Sequence, residues 1–313
     1  MSAPPYDLKQ TLRGFAAAWR AFFWEPIDPR PCAWIRIGFA AMVLINLACC
    51  YPDLTRWYGA QGVLPLEDAQ YLGPAERWTL FAWLPQDDTT LHVAFGIFAV
   101  QACCLLLGIA SRFNLLCVLV WLISFQNRNL VVLESEDGVL RLIGWYLLLM
   151  PLDRALALDR WIWRKTPAEP VRPCAPLGLR LLQLQMCVIF LSAAYSKLPG
   201  EKWQQGTTLY FVARLDDYFG RFPVPHWLFE TPWLVRSLTW SVLVIELIVP
   251  LLIWFKQTRR ASLVLLLLFH LGNEYTMNLY MFHWTMLLGW SAFMLPADWQ
   301  WLSRSKPLPE PAG

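Results

Sequence analysis

Charge is scarce in this chain. Asp, Glu, Lys and Arg make up 16% of its 313 residues, against about 25% in soluble domains. The 26 basic and 23 acidic residues nearly cancel. No Lys/Arg block or basic-aromatic stripe is present, so no nucleic-acid partner is expected. The eight cysteines (Cys32, Cys49, Cys50, Cys103, Cys104, Cys117, Cys174 and Cys187) include no C-x-x-C pair. Five of them lie in or beside apolar runs, where cysteine behaves as a small apolar packer. A zinc or disulfide framework is therefore not expected, and no metal. The vicinal pair Cys49-Cys50 is the one cysteine feature that stands out. P-loop, dinucleotide and serine-hydrolase signatures are absent. The first residues lack a clean apolar stretch with a small-residue cleavage site, so no cleavable signal peptide is expected.

What remains is apolar and aromatic. Hydrophobic residues make up 57% of the chain, with 19 tryptophans, a residue favoured at membrane interfaces. Apolar runs predict an all-α, polytopic transmembrane bundle of about eight spans. They are Cys32–Cys50, Leu91–Ile109, Phe113–Phe125, Gly138–Pro151, Leu179–Ser196, Val235–Phe255, Ala261–Met277 and Met281–Leu295. The short ones are expected to be tilted, broken or shielded by neighbours. With both termini placed in the cytoplasm, Lys and Arg alternate correctly around all eight runs. Asp7 to Trp24 reads as an amphipathic helix with Lys9, Arg13 and Arg20 on its basic side, suited to the inner leaflet surface. Residues 1–26 are thus an interfacial segment, 27–302 the membrane domain and 303–313 a short cytoplasmic tail. Two long outer loops, Tyr51 to Thr90 and Lys197 to Leu234, are aromatic-rich and expected to be structured. The second includes a predicted short helix from Thr207 to Tyr218.

Ionisable residues inside or beside these runs are few, and at membrane depth each is a candidate for function. Lys197 ends the fifth run, in SAAYSKLPG. A desolvated lysine can lose its proton and act as a base; the commoner fate of a lysine at a helix end is to snorkel to the headgroups. Asn127, Arg128, Asn129, Glu136, Asp137, Arg141, Lys197, Asn273, Glu274 and His283 all fall toward the outer ends of their runs. Together with His270 they outline an outward-facing polar cavity. His270 and Glu274 share a helix face and are expected to form a structural pair. Glu246 in the sixth run needs a partner, with Arg36, Arg141 or His270 as candidates, and an Arg36–Glu246 structural pair is the expectation. Gly38 permits close approach beside Arg36.

Several segments resemble, in order, the HTTM domain, the horizontally transferred transmembrane domain of vitamin K-dependent gamma-carboxylase-like proteins. They are WIRIGFAAMVL with WYGAQGVLPLEDA, FQNRNLVVLESEDGVLRL, YSKLPGEKWQQGTTLYF, IELIVPLLIWF and FHLGNEYTMNLYMFHW. The resemblance runs from about Ile27 to Trp301. It implies a lyase-type membrane enzyme that uses a reduced, vitamin K-like quinone. Lys197 sits at the lysine that deprotonates the quinol; oxygen then turns the quinol into a strong base that ends as an epoxide. Two departures limit the analogy. Arg128 stands where the family has a histidine, and arginine cannot act as a base near neutral pH, although it can hold an oxyanion. The carboxylases also carry a large soluble domain beyond the membrane part, so full glutamate carboxylation is not expected here.

Three functions follow from this reading. The first is a quinol-linked membrane enzyme with Lys197 as base and Arg128 and Asn127 orienting. The second is an accessory for maturation or export of a secreted peptide, working with that peptide or a separate soluble partner. The third is a small-molecule transporter using Glu246, Arg36 and His270. A bacterial inner membrane is the expected location, with the bilayer and a quinone-like lipid as partners.

Overall fold

A computed structural model describes residues 8–69, 71, 77–162, 173–215, 220–294 and 298. The 303–313 tail, the end of the predicted 207–218 helix, and inner-loop cations such as Arg164, Lys165 and Arg172 lie outside the described residues. Each of the eight apolar runs is a helix. After α1 (Leu8–Trp24) come α2 (Arg30–Cys50), α3 (Asp88–Leu107) and α4 (Ser111–Arg128). They are followed by α5 (Ser135–Leu147), α6 (Leu177–Lys197) and α7 (Pro232–Leu252). The last two are α8 (Lys256–Thr276) and α9 (Phe282–Trp290). Among the described residues the sole β pairing is a bridge between Ile27 and Cys174.

Four helices are long and apolar enough to cross a membrane: the Arg30–Tyr58 stretch containing α2, then α3, α6 and α7. At 1.5 Å per residue, the helical part of α5 and of α9 covers less than a hydrocarbon core of about 30 Å. Protein surrounds much of them instead. α5 packs on α2, α4, α6 and α9, and α9 on α2, α5, α6 and α8. Their inward side chains, Leu140, Ile143, Leu147, Met286 and Trp290, are buried.

Close contact across this centre depends on missing side chains. A Cβ on Gly38 of α2 would collide with Leu288 of α9, and one on Gly289 with Met186 of α6. At the other end of α3, Gly108 takes φ +75° and caps the helix, while the next amide, of Ile109, bonds back to the Cys104 carbonyl. This is the left-handed turn that glycine adopts without strain. A side chain there would also run into Ala157 and the Arg36 guanidinium.

Arg36 is fully buried. Its Nη1 donates to the Leu152 carbonyl at 2.8 Å and to Ser111 Oγ at 3.4 Å, and its Nη2 to the Leu156 carbonyl at 2.5 Å. The expected Arg36–Glu246 pair is therefore not what forms. The 150–157 loop wraps the guanidinium with carbonyl oxygens, which satisfy a buried cation without a second buried charge.

Gly108→Ala is expected to destabilise the fold by about 1–3 kcal/mol, the usual cost of a strained backbone conformation. The readout is the thermal midpoint of the detergent-solubilised protein. Gly96→Ala in the same helix, where a Cβ meets nothing within 4 Å, should leave the midpoint unchanged or slightly raised.

Candidate functional site

The helix-forming stretch up to Ser196 carries Lys197 as the last residue of α6. Side chains on a helix lean toward its N terminus, so a lysine at this end turns back along the helix rather than out of it. The ammonium lies 3.5 Å from the Ala193 carbonyl, one turn earlier, and 2.7 and 2.9 Å from the two carboxylate oxygens of Glu246. The side chains are 25% and 7% exposed. The Trp203 ring centroid lies 5.6 Å from Nζ, within cation–π range. This is an inward-turned, paired lysine, the opposite posture to snorkelling.

Glu246 lies on the buried stripe of α7 with Thr239, Val249 and Pro250, and α7 packs on α6. The lysine is thus its nearest available cation, in place of Arg36, Arg141 or His270. Pro250 sits four residues further on and has no N–H, so the Glu246 carbonyl loses its helical donor. The α7 ladder is open at the residue that carries the carboxylate.

The Asn127-Arg128-Asn129 stretch closes α4 against the first outer loop. Arg128 is 2% exposed. It donates to the carbonyls of Leu64 (2.8 Å), Tyr58 (3.1 Å) and Gly59 (3.5 Å). Asn127 and Asn129 donate to the Trp78 and Trp57 carbonyls. All three side chains fasten the loop, and Arg128 is engaged with carbonyls rather than turned toward an anion. Asp137 accepts from Gln126 Nε2 at 2.8 Å and from the Glu134 amide at 3.0 Å, joining α5 to α4. Glu136 is buried beside it and Arg141 is half-buried one turn on.

His270 and Glu274 do not pair with each other. His270 Nδ1 lies 3.2 Å from His283 Nδ1 on α9. The Glu274 carboxylate instead meets Arg221 at 2.9 Å and the Trp284 indole N–H at 3.2 Å. Sharing a helix face brings two residues near each other, but the longer carboxylate side chain finds a cation from the second outer loop. Among the described residues no group of three or more His, Cys, Asp or Glu side chains is placed to hold a metal.

An apolar cavity of about 540 Å³ lies between α7 and α8. The short helices Thr208–Val212 and His226–Glu230 contribute to its wall. Its lining is mainly Leu, Val, Ile and Phe, with three polar side chains, Ser241, Asn273 and Thr276. Of the residues expected in a common cavity, only Asn273 lines it. Asp137 borders a much smaller void of about 40 Å³ beneath the first outer loop. The apolar cavity had no polar motif to announce it, and its residues come from four separate segments. Ile245, which lines it, immediately precedes Glu246. Arg36, Glu246 and His270, the residues a transport path would need, are each engaged with a different partner.

Buried apolar helices, membrane-crossing lengths and a few paired charges define a polytopic helical membrane protein. The HTTM domain family model matches residues 24–299, nearly the whole chain, and the chain belongs to that family. No curated protein and no solved structure matches it.

Removing one member of the pair leaves the other charge unpartnered at membrane depth. Lys197→Met alone and Glu246→Leu alone are each expected to destabilise the solubilised protein by about 2–4 kcal/mol, discounted for the partial exposure of the lysine. The double variant should recover most of that loss. Thermal or denaturant midpoints of the three variants check this; additive losses would show that the two side chains do not interact.

Proposed function

We propose that the protein is a gamma-carboxylase-like membrane enzyme acting on a reduced, quinone-like lipid, with Lys197 as its base. The observation that carries this reading is the Lys197–Glu246 couple, whose carboxylate residue follows a lining residue of the apolar cavity. A cavity of about 540 Å³ falls within the usual range for small-molecule sites. Its apolar wall suits an uncharged ring and chain, and its amide and hydroxyls suit the few polar atoms such a molecule carries. The quinol supplies the redox chemistry when bound; the chain supplies the proton acceptor. A lysine accepts a proton only in its neutral form, and Glu246 is the group positioned to hold the proton that Lys197 gives up. The couple can thus pass one proton between Nζ and a carboxylate oxygen without placing a net charge in the membrane.

The remaining features of the reading are an eight-span topology, cytoplasmic termini and a bacterial inner membrane. Their support is the alternation of Lys and Arg around the eight apolar helices. Full carboxylation of a glutamyl substrate is not part of the proposal. A role as peptide-maturation accessory gains no specific support, because the polar side chains near the outer loops hold those loops in place.

Lipids co-purifying with the wild type should be enriched in a quinone-like species, identified by mass spectrometry. Gly272 lines the cavity, and a Cβ there meets nothing within 4 Å. Gly272→Phe should therefore fill the space without unfolding the bundle and should reduce the retained lipid at least tenfold. Equal retention in wild type and variant would remove the cavity from the proposal, and absence of any enriched quinone-like lipid would remove the substrate class.

A further inference from the structure

Among the described residues, most of the apolar stripe of α1 is left uncovered. Leu12, Phe15 and Trp19 are 57%, 66% and 57% exposed, although they recur at helical spacing on one face. Phe15, Trp19 and Phe23 form a continuous ridge of rings, with centroids 6.1 and 5.0 Å apart. Only the C-terminal end docks: Phe23 is buried and Phe22 half-buried. At 100° per residue, Arg13 and Arg20 fall side by side, roughly 110° around the helix from the middle of this ridge, on its flank. The helix contains no acidic residue.

The docking point fixes the depth of α1 in the membrane. The Phe22 carbonyl accepts from Arg180 Nε at 3.2 Å, and the Arg180 guanidinium stacks on the Phe22 ring at 4.7 Å. Arg180 lies in the first turn of α6. The Phe22 ring also lies 5.6 Å from Trp254, just past the end of α7. Both α6 and α7 are long and apolar enough to cross the membrane, and α1 is held where one begins and the other finishes. The antiparallel pair Ile27–Cys174 ties down the chain that follows. The ridge is therefore presented at the level of the lipid headgroups.

We infer that α1 is a binding surface for anionic lipid, with Phe15 and Trp19 set among the upper acyl chains and Arg13 and Arg20 against the headgroup phosphates. An exposed aromatic ridge flanked by cations alone, at the end of membrane-crossing helices, matches such a surface in shape, apolarity and charge. A second copy of the chain would bring like charges together along the same flank.

The test uses full-length protein in nanodiscs of phosphatidylcholine, with and without phosphatidylglycerol, and follows amide exchange across residues 11–21. Exchange is expected to slow in the anionic discs by roughly fivefold per arginine engaged. Arg13→Gln with Arg20→Gln should abolish the difference between compositions. Phe15→Asp with Trp19→Asp should speed exchange in both. Equal protection in the two compositions would overturn the inference. So would protection that appears only when two protein copies share a disc, since that assigns the ridge to self-association.

Discussion

Burying a charge away from water is costly unless it is partnered, and three buried or half-buried cations among the described residues, Arg36, Arg128 and Lys197, each find partners that tie helices together. These three pairings join parts of the protein far apart in sequence. Arg36 gathers the 150–157 loop under α2, Arg128 closes the first outer loop over α4, and Lys197 locks the end of α6 to the middle of α7. The first two use backbone carbonyls, which satisfy a cation without demanding that a second ion be desolvated. The third is different in kind, since it joins two ionisable side chains, and the functional proposal uses them as a proton couple. That difference separates a candidate for chemistry from two structural fastenings that looked equally suggestive as intramembrane charges.

The helices themselves were legible from apolar runs alone, because a bilayer-sized stretch of hydrophobic residues has few other ways to satisfy its backbone. The short fourth and eighth runs were also readable as shielded elements, and α5 and α9 are set among the other helices. Partner choice was not legible. Glu246 was given Arg36, Arg141 or His270 as candidate partners and His270 was paired with Glu274 on its own helix face, but neither reading fixes which way a helix turns toward its neighbours, and packing of α6 on α7 brought Lys197 to the carboxylate. The backward lean of helix side chains could have signalled that Lys197 points inward, as could the E-x-x-x-P spacing that opens the ladder at Glu246. The apolar cavity between α7 and α8 was invisible for a simpler reason. Leucines lining a cavity and leucines packing a core read identically in a sequence.

Three features share the α6–α7 part of the fold: α1 docks where α6 begins and α7 ends, the Lys197–Glu246 couple joins the two helices, and the cavity lies between α7 and α8. Family membership supplies the context of a membrane protein related to the gamma-carboxylase membrane domain. The physical content of the functional proposal rests on one couple and one cavity on adjoining faces of α7.

Replacing Lys197 with arginine addresses that proposal most directly. Arginine keeps the ion pair with Glu246 but does not give up its proton at physiological pH. Purified protein in nanodiscs would be supplied with a reduced quinone under oxygen, and epoxide formation followed by mass spectrometry. The account predicts that Lys197→Arg folds with a thermal midpoint near that of the wild type and loses epoxide formation by at least a hundredfold, the lower range for removing a general base. Wild-type turnover in Lys197→Arg would contradict the account and leave the lysine as a structural partner of Glu246.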